Sequence, residues 1–453
     1  MKVTVVGSGI SGKSLALLSK KLGYEVFVTE REEIDPETRD LYRKKGILWE
    51  EKGHTNKMLD CDLVVLSSGI SPQSLPVEMA KNAGVLIQGE LDFVFPFLTG
   101  KIIGVTGTNG KSTTSALIAH LLSKLGYKTA LAGNFGFPLA DFAKQDLDFI
   151  AAEISSFQLH WANRFSCHIA VVTNICPDHL DWHGSFKAYV ESKKRIIDLL
   201  SSDGYCVYQN KDRELLRTNG CRGAVLRWAS DCSTGKCEEQ DEIILHDSEA
   251  YLRTESRDIK LFSYSILPLY GRHNVENTAM AMTAVYYLGC DAERTSHLLS
   301  DFKNLPHRCE KVGEKKGITF IDDSKGTNVA SSITAITSIP GTKVIILGGK
   351  GKGEQYDELA KAVKAHARGA VLLGAEKGAI SEALESAGFR NYILVSSMEE
   401  AVYCAFNMAC PGDIVLLSPA CTSWDMYKNY HERGEDFKRI VKTIVEADSV
   451  KNG

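Results

Sequence analysis

The chain has 453 residues, 44% hydrophobic and 24% charged, a length that at about 100–200 residues per domain supports two to four domains, each with its own core. Its 53 Lys plus Arg stand against 57 Asp plus Glu, a formal charge of −4, which excludes a general nucleic-acid-binding protein. No apolar run approaches about 18 residues, which excludes a membrane-spanning helix.

In chain order, short aliphatic runs ending in Gly, Ser or Asn recur at 3–7 (VTVVG), 25–29, 63–67, 102–105, 149–152, 169–174, 344–349 (VIILGG), 370–374 and 414–418. Strands buried on both faces have this appearance. Segments between them, such as 112–125 and 356–366, carry apolar residues at helical spacing. Strand alternating with helix predicts an α/β protein with parallel sheets, right-handed crossovers, and ligands beyond the carboxyl ends of the strands. The pattern restarts at 3, 102 and 344, after 90–100 (ELDFVFPFLTG) and 304–312 (NLPHRCEKV). Three domains are therefore expected, at 1–98, 99–306 and 307–453. Residues 203–270 are short, alternating and turn-rich, and predict a small sheet appended to the middle domain.

The twelve cysteines are scattered with no Cys-x-x-Cys, and Cys232 and Cys237 form the closest pair. Dispersed reduced thiols are the better reading than a zinc site or a disulfide framework. The first residues, MKVTVVGSGISG, lack the charged head and apolar run of a secretory leader, so a cytoplasmic protein is expected.

Two glycine turns are candidate phosphate sites. Residues 7–14 (GSGISGKS) satisfy both the dinucleotide pattern G-x-G-x-x-G and the literal Walker string. Glu30, ending the next strand, is placed to accept a hydrogen bond from a ribose hydroxyl. A glycine-rich turn holding no ligand is the alternative. At 104–114 (GVTGTNGKSTT) the literal string fails, because Val105 stands at its first glycine. The physics is stronger here: a buried strand runs into Gly107, Thr108, Asn109 and Gly110, then Lys111, and Ser112 opens a helix. Backbone N–H groups and Lys111 would cradle the phosphates of ATP, and the Ser112 or Thr113 hydroxyl would ligate Mg²⁺.

Acid and imidazole groups follow the next strands. Glu153 closes an apolar strand, where its carboxylate is a candidate Mg²⁺ ligand or a surface acid. VVTNICPDHLDWH groups Asn174, Asp178, His179 and Asp181 just past a strand, a set suited to metal ligation. Lys193 is by itself an ordinary helix lysine; Lys194 beside it adds like charge, which favours the neutral amine.

These segments resemble the ATP-dependent Mur ligases of bacterial cell-wall synthesis. GTNGKST, EISSFQL, NICPDHLDWH, YVESKKRI, GRHNVEN, PHRCE, DDSKGTN and LLSPACTSWD follow one another in the family's order across essentially the whole chain. The last two, with the continuation to SPACTSWDMYKNYHERG, are similar to the members that add D-glutamate. The resemblance implies a Rossmann-like first domain, a central domain like a phosphate-loop ATPase, and a Rossmann-like third domain. It implies an amide-forming reaction through an acyl phosphate, with UDP-N-acetylmuramoyl-L-alanine, D-glutamate and ATP as substrates. Two Mg²⁺ ions are implied, with Mn²⁺ as a substitute, held by Ser112, Glu153, His179 and a carbamylated Lys193. Lys111, Glu153, His179 and Lys193 are then the catalytic set. The ATP set extends from the loop to Asn274, Asn277, Arg308 and Asp323. Ile10, Ser11, Glu30, Arg31, Gly69, Asn134 and His179 would hold the UDP-linked precursor. Lys325, Thr327, Lys352, Ser423 and Tyr430 would line the amino-acid pocket, beside the large Trp424. A monomer with no nucleic-acid or membrane partner is implied. An oxidoreductase with an ATP-binding regulatory domain, and an amide ligase of the folylpolyglutamate synthetase kind, are the rival readings.

Overall fold

The computed structural model describes residues 1–217, 221–231 and 240–446, so Cys232 and Cys237 lie outside the described residues. The ten described cysteines are all free thiols.

The first sheet is parallel and runs, edge to edge, Leu48–Glu50, Glu25–Thr29, Lys2–Val6, Leu63–Leu66 and Leu86–Gly89. Strand order reverses between Lys2–Val6 and Leu63–Leu66. Successive crossovers leave these two strands in opposite directions, which opens a crevice at their carboxyl ends. The 7–12 glycine turn and residues 67–70 border that crevice.

The central sheet has nine strands, with Lys101–Thr106 flanked by Phe149–Glu153 on one side and Cys167–Val172 on the other. Beyond Cys167–Val172 come Leu200–Gln209, Gly223–Trp228 and Asp241–Leu245, all parallel, then the antiparallel Glu249–Arg253 and Asp258–Ser263. The strands of the expected appended sheet are thus in register with the parallel ones and continue them. The helix Lys111–Lys124 crosses from Lys101–Thr106 toward Thr129–Gly133 at the other edge.

The last sheet runs Glu310–Lys315, Ile318–Asp322, Ile414–Leu417, Lys343–Gly348, Ala367–Leu373 and Tyr392–Leu394, with an antiparallel first pair and the rest parallel. Successive strand residues serve opposite faces. Ile345, Leu347, Leu372 and Leu416 pack on one side, and Val344, Ile346, Val371, Val415 and Leu417 on the other. Because helices cover both faces, the strands read as unbroken aliphatic runs.

Residues Met1–Leu267 with Val275–Phe302 form one compact unit, and Pro268–Asn274 with Lys303–Gly453 a second. Within the first unit a single apolar cluster runs from Val3, Val5 and Leu15 of the first sheet and its helix to Ile150, Val172 and Tyr189 of the central layer. No helix among the described residues is long and apolar enough to cross a membrane.

Candidate active site

The strand Lys101–Thr106 delivers the backbone into a turn that only glycine accommodates. Gly110 has φ +86°, and a Cβ there would overlap Asn277 Oδ1. Neighbouring chain holds the turn open: Thr108 N donates to Asn174 O at 2.8 Å and Asn109 N to Asn174 Oδ1 at 3.0 Å. Thr173 Oγ1 and Asn174 Nδ2 both donate to Asn109 O. Lys111 opens the helix and folds its ammonium over the turn, donating to Gly107 O at 3.0 Å and Thr108 O at 2.9 Å. A helix N-terminus, a strained glycine turn and a lysine above it concentrate positive potential on one spot, as phosphate binding requires.

A second lysine converges there. Lys193, 2% exposed on the helix Phe186–Asp198, donates to the same Gly107 carbonyl at 2.7 Å. Burial holds its ammonium well below the ordinary lysine range, and the charge of Lys111 pushes it further down. Sequence spacing suggested Lys194 as the like-charged neighbour; the like charge that acts on Lys193 is that of Lys111, brought in by folding. Lys193 also lies over the Tyr189 ring, 4.7 Å from its centroid, while Tyr189 Oη meets Thr108 Oγ1 at 3.0 Å.

Glu153 ends its strand beside the loop, 3% exposed. Asn134 orients it, donating Nδ2 to Oε1 at 3.0 Å, and Asn134 N donates to Glu153 O at 2.8 Å. Glu153 Oε2 is buried with no hydrogen-bond partner among the described residues. A carboxylate oxygen so placed fits a cation ligand, because buried acceptors are otherwise satisfied. Ser112 and Thr113 are buried in the first helical turn. The donor set of hydroxyl and carboxylate oxygens beside a phosphate loop suits Mg²⁺.

His179 immediately precedes the short helix Leu180–His183. It has φ +50°, is half exposed, and lies 3.6 Å from Asp178 and edge-on to Phe157. Among the described residues no hydrogen bond joins it to Glu153 or Lys193. His183, not foreseen from the sequence, is half-buried: its Nε2 meets Ser156 Oγ at 2.9 Å and its ring packs on Phe157 and Tyr189. Burial lowers its pKa to about 4.

In the first sheet's crevice, Glu30 accepts from Ser8 N at 2.6 Å and from Glu32 N at 3.1 Å, so its carboxylate closes on the glycine turn. Ile10 is exposed, and Arg31 pairs with Glu32 on the surface. Ser11 Oγ donates to Glu90, a fully buried carboxylate that also accepts from Ser68 N and Gln158 Nε2. Burial raises the Glu90 pKa. Gly69 O accepts from Trp182 Nε1, and Ile70 O from Trp161 Nε1, both at 3.0 Å. Two indole N–H groups and Gln158 therefore tie this crevice to the central layer.

The second unit carries the remaining candidates. Asp323 is fully buried and accepts from Ser418 Oγ at 2.7 Å; burial raises its pKa to about 7. Lys325 Nζ donates to Tyr430 Oη at 3.2 Å and lies 4.7 Å from that ring's centroid. Thr327 N donates to Lys325 O at 2.8 Å, Ser423 is buried, and Lys352 and Trp424 are exposed. Arg433, another unforeseen residue, donates to Ser324 Oγ and O and to Cys421 O, knitting these segments together. Arg308 and Asn274 belong to this unit, while Asn277 packs against Gly110 in the first.

Three mainly parallel sheets, one with a lysine-capped phosphate loop, define a nucleotide-using α/β protein. Residues 2–75 match the MurD N-terminal domain, 105–285 the Mur ligase middle domain, and 307–421 the Mur ligase glutamate ligase domain. The chain belongs to the Mur ligase family. A UDP-N-acetylmuramoylalanine–D-glutamate ligase of Desulfitobacterium hafniense is 36% identical over 452 residues, covering 97% of each chain. Proteins of the same name from Salinibacter ruber and Bacteroides fragilis are each 34% identical, covering 98% of this chain and 98% and 100% of theirs. The fold is similar to the UDP-N-acetylmuramate-alanine ligase of Thermotoga maritima, at TM-score 0.62 and 20% identity, covering 98% of this chain and 100% of that one. A pseudomurein peptide ligase of Methanothermus fervidus gives 0.58 and 19%, covering 98% and 99%.

Proposed function

We propose that this chain joins D-glutamate to UDP-N-acetylmuramoyl-L-alanine with consumption of ATP, a step of peptidoglycan synthesis in the cytoplasm. One observation carries the reading: 34–36% identity over nearly the full length to relatives named for that reaction. The site supports it through a phosphate loop, a capping lysine and a buried carboxylate with an open oxygen.

The L-alanyl carboxylate attacks the γ-phosphorus of ATP in line, giving an acyl phosphate and ADP. The D-glutamate amine then adds to that carbonyl, and phosphate leaves as the amide forms. Lys111 neutralises charge on the transferring phosphoryl group, and the loop N–H groups orient it. Magnesium, when bound, adds further charge neutralisation, and we assign Ser112 or Thr113, Glu153, His179 and Lys193 to hold two ions. Lys193 is suited to this as a carbamate, R–NH₂ + CO₂ → R–NHCOO⁻ + H⁺, because burial and the charge of Lys111 disfavour its ammonium form. Glu30, Arg31, Ser11, Ile10, Gly69 and Asn134 take the precursor. Asn274, Asn277, Arg308 and Asp323 take the adenosine side of ATP. Lys325, Thr327, Lys352, Ser423 and Tyr430 take D-glutamate, with cations facing its carboxylates. We assign the three domains as 1–98, 99–306 and 307–453, acting as a monomer.

Phosphate release measured with each component omitted in turn tests this. Release should require UDP-N-acetylmuramoyl-L-alanine, D-glutamate and ATP together. Release sustained by another amino acid in place of D-glutamate would refute the substrate assignment.

A further inference from the structure

The second unit holds a cluster of imidazoles and carboxylates that the proposed reaction does not use. His307 has φ +62° and a buried ring. Its Nδ1 lies 2.7 Å from Asp322 Oδ2, the buried carboxylate that ends the strand Ile318–Asp322. A neutral imidazole donating Nδ1–H to that acceptor presents its lone pair at Nε2. Nε2 faces the first turns of the helix Tyr430–Glu446, 3.1 Å from His431 Nδ1 and 3.4 Å from Glu435 Oε1. His431 Nδ1 and Glu435 Oε1 are 4.0 Å apart. Residues four apart share one helix face, and both side chains are open to solvent.

Gly434 makes this approach possible. Glycine inside a helix costs about 1 kcal/mol relative to alanine. Here a Cβ would overlap His307 Nδ1, so the missing side chain is the slot that receives the imidazole.

We propose that His307, His431 and Glu435 form a binding site for a borderline divalent cation of the Zn²⁺ class, with Asp322 as the carboxylate behind His307. Ligand atoms about 2.0–2.1 Å from a tetrahedral ion lie about 3.3–3.4 Å from one another. The separations of 3.1, 3.4 and 4.0 Å bracket that value, so small rotations of two exposed side chains complete the set. Two imidazole nitrogens and one carboxylate oxygen leave a fourth position for water or another ligand. The carboxylate–histidine pair behind the site is the arrangement that fixes the orientation and basicity of a metal-bound imidazole. The carboxylates of Asp322, Glu310 and Glu435 outnumber the cations about them, Lys438, 2.7 Å from Glu310 and 3.4 Å from Glu435, and Arg433, whose charge acts on Asp322. With nitrogens as two of its three ligands the site favours an ion of the Zn²⁺ class over Mg²⁺, whereas the mainly oxygen set at the phosphate loop favours Mg²⁺. The cation would clamp the turn carrying His307 to the helix end carrying Tyr430, whose ring centroid is 6.3 Å from that of His307.

The full chain, stripped with a chelator, is titrated with Zn²⁺ against a chromophoric competitor and separately with Co²⁺. One equivalent should bind to the wild type and be weakened at least tenfold in the His431→Ala/Glu435→Gln double variant, which alters only exposed side chains. Asp322→Asn should weaken it by about 10–100-fold. Co²⁺ should develop visible absorption bands in the wild type that the double variant lacks, and His366→Ala, an exposed histidine elsewhere in this unit, should leave them unchanged. Equal uptake by wild type and double variant, or no uptake at micromolar metal, would overturn the proposal.

Discussion

Asp323 offers the sharpest electrostatic test. Its carboxyl is fully buried, its pKa is raised from 3.8 to about 7, and burial is the main cause. Below pH 3.8 the folded and unfolded chains are both protonated here, and the group contributes nothing. Between 3.8 and about 7 the folded chain keeps a proton that the unfolded chain releases, so stability falls as pH rises. Above about 7 the cost is complete. The shift of about 3 units, at 1.36 kcal/mol each, sets a ceiling of about 4 kcal/mol. Asp323→Asn removes the charge while keeping an oxygen to accept from Ser418 and an N–H in place of the acid proton. The variant should therefore be more stable than wild type at pH 8 by up to about 4 kcal/mol, with most of the gain gone by pH 4.5. Hydrogen exchange across urea, read on peptides covering Ile318–Asp322, reports the second unit directly. A variant that loses stability at pH 8, or a gain equal at both pH values, would refute the reasoning.

Lys193→Ala should lose activity and regain part of it with added short-chain carboxylates, which supply the missing oxygens; no rescue by any carboxylate counts against the carbamate. Gly110→Ala forces a left-handed alanine against Asn277, and should lower ATP affinity at least tenfold in equilibrium binding; unchanged affinity would contradict the glycine requirement. Trp182→Phe removes the hydrogen bond to Gly69 O, worth about 1 kcal/mol, and should raise the KM for the UDP-linked precursor about fivefold with the KM for ATP unchanged.

The aliphatic strands and both glycine turns were legible because their signals are local. Residues 25–29 and 149–152 announce buried strands by composition alone, and GTNGKST carries its loop within seven residues. The edge strands Leu48–Glu50, Leu86–Gly89 and Tyr392–Leu394 were not foreseen, since they are mostly exposed or half-buried and lack the aliphatic runs that mark the buried strands Leu63–Leu66 and Ile414–Leu417. Glu90, His183 and Arg433 were also missed. Their importance comes from burial and from partners distant in sequence: Glu90 meets Ser11 and Gln158, and Arg433 meets Ser324. Lys193 shows the same limit from the other side. Its family resemblance singled it out, but the charge that helps disfavour its ammonium sits on Lys111, which no local spacing reveals.

The central claim is that the loop before Lys111 brings ATP to a sugar-linked acid, whose oxygen attacks phosphorus. UDP-N-acetylmuramoyl-L-alanine labelled with oxygen-18 in its alanyl carboxylate, turned over with ATP and D-glutamate, tests it in one measurement. One labelled oxygen should pass to each phosphate released by the wild type, and Lys111→Ala should release none. Phosphate free of label, formed at the same rate as the peptide product, would contradict the account.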